Sequence, residues 1–173
     1  MEIVVGLPEC EGWDAIWVVA DRLSKMRHCI PYHTTIDALG LAEFFLREMV
    51  CPHGLPFTII SYCGPQFASL FWQQMCSRLG SDRRMSTAFH SQTDGQRERM
   101  NASMEQYLMV FGNHQQDDWV KWVPLAEFAA NNGVSKTTKC THCYAVQGMN
   151  PRISLSGEPT KDRDQRRVSA DLV

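Results

Sequence analysis

The chain opens with short β-branched runs and closes with longer helical patterns. Residues 2–6 (Glu2, Ile3, Val4, Val5, Gly6) form an apolar run ended by Leu7 and Pro8, and 15–23 repeats that composition more strongly after Gly12. The two read as strands joined in a hairpin. A third run, 26–32, alternates loosely. The hydroxyls of Thr34 and Thr35 then stand where a helix N-cap belongs, ahead of Ile36, Leu39, Phe44, Leu46 and Val50. This pattern predicts a helix of about four turns ending near His53 and Gly54.

After Leu55 and Pro56, the run 57–61 reads as a buried strand. Gly64 and Pro65 break it before Phe67, Leu70, Phe71, Met75 and Leu79 recur at helical spacing. A short extended segment is expected around 83–88, followed by a polar loop over 89–94. From Gly95 onward Met100, Met104, Tyr107, Leu108 and Phe111 recur with helical period, and 119–130 predicts another helix, rich in aromatics. Leading strands, a helix–strand alternation and closing helices predict an α/β layer fold with a mixed sheet. The early strands should be antiparallel, and parallel pairing should appear where a helix makes the crossover. Trp13, Trp17, Trp72, Trp119 and Trp122 lie inside these periodic stretches and are assigned to the core.

Charge narrows the function classes. With 17 Lys+Arg against 19 Asp+Glu in 173 residues the formal net charge is −2, so the chain lacks the bulk positive charge of an autonomous nucleic-acid binder. Binding of that kind must rest on a local patch, for which Arg78, Arg83, Arg84, Arg97 and Arg99 are available. No apolar run approaches the roughly 18–20 residues that span a bilayer, so no membrane partner is expected. The seven cysteines are odd in number and irregularly spaced, which points to a reducing compartment, nucleus or cytoplasm. Cys140 and Cys143 bracket His142 in a C-x-x-C, but no second pair lies at zinc-finger spacing, so they read as loop thiols. One domain over 1–150 and a polar, charged extension over 151–173 describe the organisation.

Five stretches in order carry a resemblance: Glu2-Ile3-Val4-Val5-Gly6-Leu7-Pro8, Asp21-Arg22-Leu23-Ser24-Lys25-Met26, Gly64-Pro65-Gln66-Phe67, Thr93-Asp94-Gly95-Gln96 and Leu125-Ala126-Glu127-Phe128-Ala129. Together with the thirty-five residues between Tyr62 and Glu98, they resemble the integrase catalytic core of gypsy-type LTR retrotransposons and retroviruses, which is RNase H-like. The resemblance implies a five-stranded mixed sheet flanked by helices. It also implies two Mg²⁺ ions about 4 Å apart, held by two Asp and one Glu, that drive phosphodiester cleavage and strand transfer.

Matched position by position, those carboxylates fall on Glu2, Tyr62 and Glu98, with Glu2 and Glu98 left as metal ligands. His90, Gln92, Arg97, Arg99 and Asn101, from the turn and helix around the third position, are implied to meet nucleic acid: DNA ends, and RNA. A homodimer is a further implied partner. Glu2 moves its carboxylate outward by one methylene, and a phenol, neutral at pH 7, cannot bridge two metals as a carboxylate does. Two readings therefore stand side by side: an impaired polynucleotidyl transferase, and a non-catalytic remnant that binds nucleic acid or protein.

Overall fold

The computed structural model describes residues 1–85, 106–108, 110, 112–113, 117–135 and 138–151. Its strands are β1 (Glu2–Val4), β2 (Ala15–Ala20), β3 (Arg27–Tyr32), β4 (Thr58–Ser61) and β5 (Asp82–Met85). Strands β1, β2 and β3 form an antiparallel ladder in that order, while β4 and β5 pair in parallel. Two hydrogen bonds join the ladders: the Met1 nitrogen donates to the Ile60 carbonyl at 2.7 Å, and the Tyr62 amide donates to the Met1 carbonyl at 3.3 Å. One residue donating to and accepting from positions two apart on its neighbour is the parallel pattern. The five strands thus lie in the order β3-β2-β1-β4-β5, the mixed arrangement expected from the sequence.

Helices cover both faces. On one, α1 (Ala38–Phe45) runs through a π-helical turn (Leu46–Val50) into α2 (Cys51–His53), and α3 (Pro65–Ala68) and α4 (Leu70–Arg78) follow β4. Trp17, Tyr32, Leu41, Phe45, Phe67 and Trp72 form the core there. On the other face, α5 (Trp119–Asn131) places Trp119, Val123 and Ala126 against Val4, Ile16, Val18 and Cys29. The split follows from strand alternation: Ala15 and Trp17 face one layer, Ile16 and Val18 the other. A last short helix, α6 (His142–Gln147), is capped by Thr141 and ended by Gly148 at φ 71°.

Three expectations are corrected. The helix over 38–53 is capped by Asp37, whose carboxylate accepts the Gly40 amide at 2.8 Å, and not by Thr34 or Thr35. Thr34 instead donates its amide and hydroxyl to Asp14, and the Thr35 hydroxyl bonds His33. The second helix is broken at Ser69, whose hydroxyl accepts the Trp72 amide at 3.1 Å. This break shifts the phase, so the buried stripe is Phe67, Trp72 and Cys76, while Leu70 and Phe71 are exposed. Phe57 is not part of a buried strand: it is 92% exposed, one residue ahead of β4.

Candidate active site and its surroundings

The junction of β1 and β4 brings together two of the three expected site residues. Glu2 is the first residue of β1, and the Tyr62 amide bonds the residue just before it. Two positions 60 residues apart in the chain therefore sit on adjacent strands, because β4 enters the sheet beside β1. Glu98, and with it His90, Gln92, Arg97, Arg99 and Asn101, lies outside the described residues.

The Tyr62 ring packs onto the turn that follows it. It meets Phe67 edge-on at 6.0 Å between centroids and lies so close over Gly64 that a Cβ there would stand 2.6 Å from the phenol oxygen. Gly64 is therefore the residue that lets this ring lie down. Beneath it, Tyr32 is fully buried and its hydroxyl has no hydrogen-bond partner. Burial, with smaller effects from Tyr62, Asp37 and Asp14, pushes the Tyr32 phenol up to about 12.

The Gly64-Pro65-Gln66-Phe67 turn is tied in from two sides. Gln66 donates through Nε2 to the carbonyls of Thr34 and Ile36, each at 3.4 Å, joining the turn to the start of α1. Arg83 on β5 donates through Nη1 to the Phe67 carbonyl at 3.0 Å, which commits this guanidinium to the fold. Arg84 is occupied by Asp82 at 2.7 Å. Of the described arginines of the expected patch, Arg83 thus serves structure, while Arg84 stays exposed beside Asp82. Asp21, in the second matched stretch, has a structural role as well. Its carboxylate accepts the Ser24 amide and hydroxyl, both at 2.7 Å; burial pushes its pKa up, but these bonds outweigh it and hold the acid below its ordinary value.

A second cluster was not visible in the sequence. Glu127 on α5 reaches around the outer edge of β3, accepting the Cys29 amide at 2.7 Å and facing His28 Nδ1 at 3.1 Å. The His53 ring, at the end of α2, lies 4.8 Å from the His28 ring. A cavity of about 420 Å³ opens here, lined by Trp13, Phe44 and Met49 as well as His28 and Glu127. Glu127 and His53 lie 99 and 25 positions from His28, so no spacing rule could pair the three; only Glu127, inside a matched stretch, carried any signal.

The strand order and the β1–β4 junction define an RNase H-like integrase catalytic-core fold, and solved structures agree. The HTLV-2 integrase catalytic core domain in complex with magnesium matches with a TM-score of 0.58 and 16% identity over 82% of this chain and 90% of that one. The catalytic core domain of BIV integrase matches with a TM-score of 0.62 and 17% identity over 85% and 93%. At such identities the likeness carries the fold. In sequence, the chain is 30% identical over 154 residues to the Transposon Tf2-3 polyprotein of Schizosaccharomyces pombe, and equally to the Tf2-4 polyprotein. The match spans 89% of this chain and 12% of those relatives' length. No family model matches the chain. The chain is thus similar along most of its length to a segment of retrotransposon polyproteins, and it has the integrase catalytic-core fold that the five matched stretches implied.

Proposed function

We propose that this chain is the integrase-core segment of a retrotransposon polyprotein, with the core over 1–150 and a charged extension over 151–173. In this reading nucleic-acid binding persists while cleavage and strand transfer are impaired. The observation that carries it is the Tyr62 amide bond to Met1, which sets a phenol beside Glu2 where the family resemblance calls for a second carboxylate. Mg²⁺ demands near-octahedral oxygen ligands, with carboxylates supplying the charge. Two carboxylates, Glu2 and Glu98, and a phenol committed to Gly64 and Phe67 do not fit a pair of such ions as three carboxylates would.

Glu2, Tyr62 and Glu98 are the reaction-centre positions in this proposal, and His90, Gln92, Arg97, Arg99 and Asn101 the nucleic-acid contacts. DNA ends, RNA and a second copy of the chain are the partners. Support comes from the solved neighbours: the HTLV-2 core is known in dimeric and trimeric forms, and a simian T-cell lymphotropic virus intasome shares the fold at a TM-score of 0.65. No described helix is long and apolar enough to cross a membrane.

The test pairs binding with chemistry. Labelled DNA and RNA ends should bind with a log affinity that falls linearly with log salt, as phosphate contacts require. With Mg²⁺ present, 3′-end nicking should be weak for the wild type and rise for the Glu2→Asp, Tyr62→Asp double variant. Nicking by the wild type at the double variant's rate overturns the impairment; salt-independent or absent binding overturns the nucleic-acid reading.

A further inference from the structure

The outer edge of β3 is closed by side chains rather than by another strand. In the β2–β3 register, Pro31 stands opposite Ile16, so residues 27, 29 and 31 turn their backbone groups outward. Asn131 accepts the Arg27 amide at 2.9 Å and donates to the Arg27 carbonyl at 2.7 Å. Glu127 takes the Cys29 amide, and Pro31 has none to offer. Both partners come from α5, which lies on one face of the sheet, whereas the His53 ring belongs to the helical arm 38–53 on the other.

We propose that Glu127, His28 and His53 form a protonation-sensitive staple that couples the arm 38–53 to α5 across the β3 edge. The stoichiometry makes it sensitive. Glu127 spends one oxygen on the Cys29 amide and the other on His28, so neither oxygen is left for a further cation. A proton taken up by His53 then sits on a ring whose centroid is 4.8 Å from that of His28, and among the described residues no carboxylate pairs with it directly.

The surrounding groups leave that imbalance in place. Asp21 acts on His53 from the end of β2, but its oxygen is engaged by Ser24. Arg47 and Glu48, on the cavity wall, pair with each other at 2.7 Å. Arg27 adds positive charge on β3 itself, and the buried thiols of Cys29 and Cys143 are pushed up by burial and by Glu127, Cys29 to about 12, so both stay neutral.

Burial and the His28 ring hold His53 below the ordinary histidine range against the opposing pull of Asp21. The folded state thus takes up a proton less readily than the unfolded one. The staple is closed above about pH 6.5, the ordinary histidine value, and weakens as pH falls below it and through the lower folded value of His53.

Amide exchange of the full chain, followed by mass spectrometry at matched intrinsic rates above and below about pH 6.5, tests this. In the wild type, 38–53 and 119–131 should lose protection together at the lower pH, by several-fold. His53→Asn, at an exposed position, should keep both segments protected at both pH values. Ring resonances give the second measurement: His28→Asn should raise the titration midpoint of His53. Protection unchanged in the wild type, loss persisting in His53→Asn, or a His53 midpoint unmoved by His28→Asn would each overturn the staple.

Discussion

Replacing Tyr62 by Asp should cost stability that Mg²⁺ then returns. The variant loses the edge-on contact with Phe67, worth about 0.5–1.5 kcal/mol for an aromatic pair. It also places a carboxylate one strand spacing, about 5 Å, from Glu2. Repulsion at that distance is about 1 kcal/mol in water and about 3 kcal/mol at the effective dielectric of a protein surface. Together these predict a loss of about 1.5–4.5 kcal/mol without metal. A divalent ion that binds only the native state restores about 2.7 kcal/mol at a concentration 100-fold above its Kd. Urea melts of wild type, Tyr62→Asp and Tyr62→Phe, each with and without Mg²⁺, read both numbers. Tyr62→Phe keeps the ring and should stay close to wild type in either condition. An equal response to Mg²⁺ in wild type and Tyr62→Asp would show that position 62 is not where the metal binds, and the reasoning would fail at its first step.

Gly64→Ala should destabilise the wild type by about 1–3 kcal/mol, because its methyl meets the Tyr62 ring at 2.6 Å, and by less in the Tyr62→Asp background; a double-mutant cycle in urea measures the difference. Asn131→Ala leaves the Arg27 amide and carbonyl without the partners that close the β3 edge, so a loss of about 2–4 kcal/mol is expected in the same assay. Asp21 has a folded pKa below its unfolded value, so its contribution is present above about pH 4 and is lost as pH falls through the folded value. Asp21→Asn should therefore be less stable than wild type near neutrality and approach it in acid melts.

Local chemistry explains which parts of this fold could be read from the sequence. The hairpin was plain because Ile3–Val4 and Ala15–Ala20 are β-branched or apolar and sit between breakers, and the α5 span was plain from its apolar period. The caps were harder. Thr34 looks like a cap only until Asp14, 20 positions earlier, claims both its donors, which hands the role to Asp37. The apolar period from Phe67 to Leu79 gives no sign of a break, yet the Ser69 side chain accepts the Trp72 amide and donates to the Gln66 carbonyl at 2.7 Å, ending one helix and starting the next. Positions 2 and 62 could be singled out through the family resemblance, whereas the junction that brings them together depends on one parallel contact between chain segments about 60 residues apart. No periodicity encodes such a contact. The Glu127–His28–His53 cluster was hidden for the same reason.

If position 62 is the reaction-centre position proposed above, the way Tyr62 packs explains how the fold outlasts a change there. A carboxylate there would stand beside Glu2 on the neighbouring strand, a repulsive arrangement tolerable only when a cation fills it. A tyrosine at that position carries no such repulsion and makes an aromatic contact with Phe67, so on the proposed assignment position 62 serves the packing. Nothing else at the junction need adjust: Ser61, fully buried, donates to Met85 on β5; Gln66 and Arg83 hold the turn through backbone carbonyls; and Gly64 already leaves room for the ring. Residues that assemble a charged site are held together against their own electrostatics, so relaxing the demand for catalysis lets stability choose a different side chain. The Tyr62→Asp melt measures that choice directly, as the stability the chain gives up when the charge is put back.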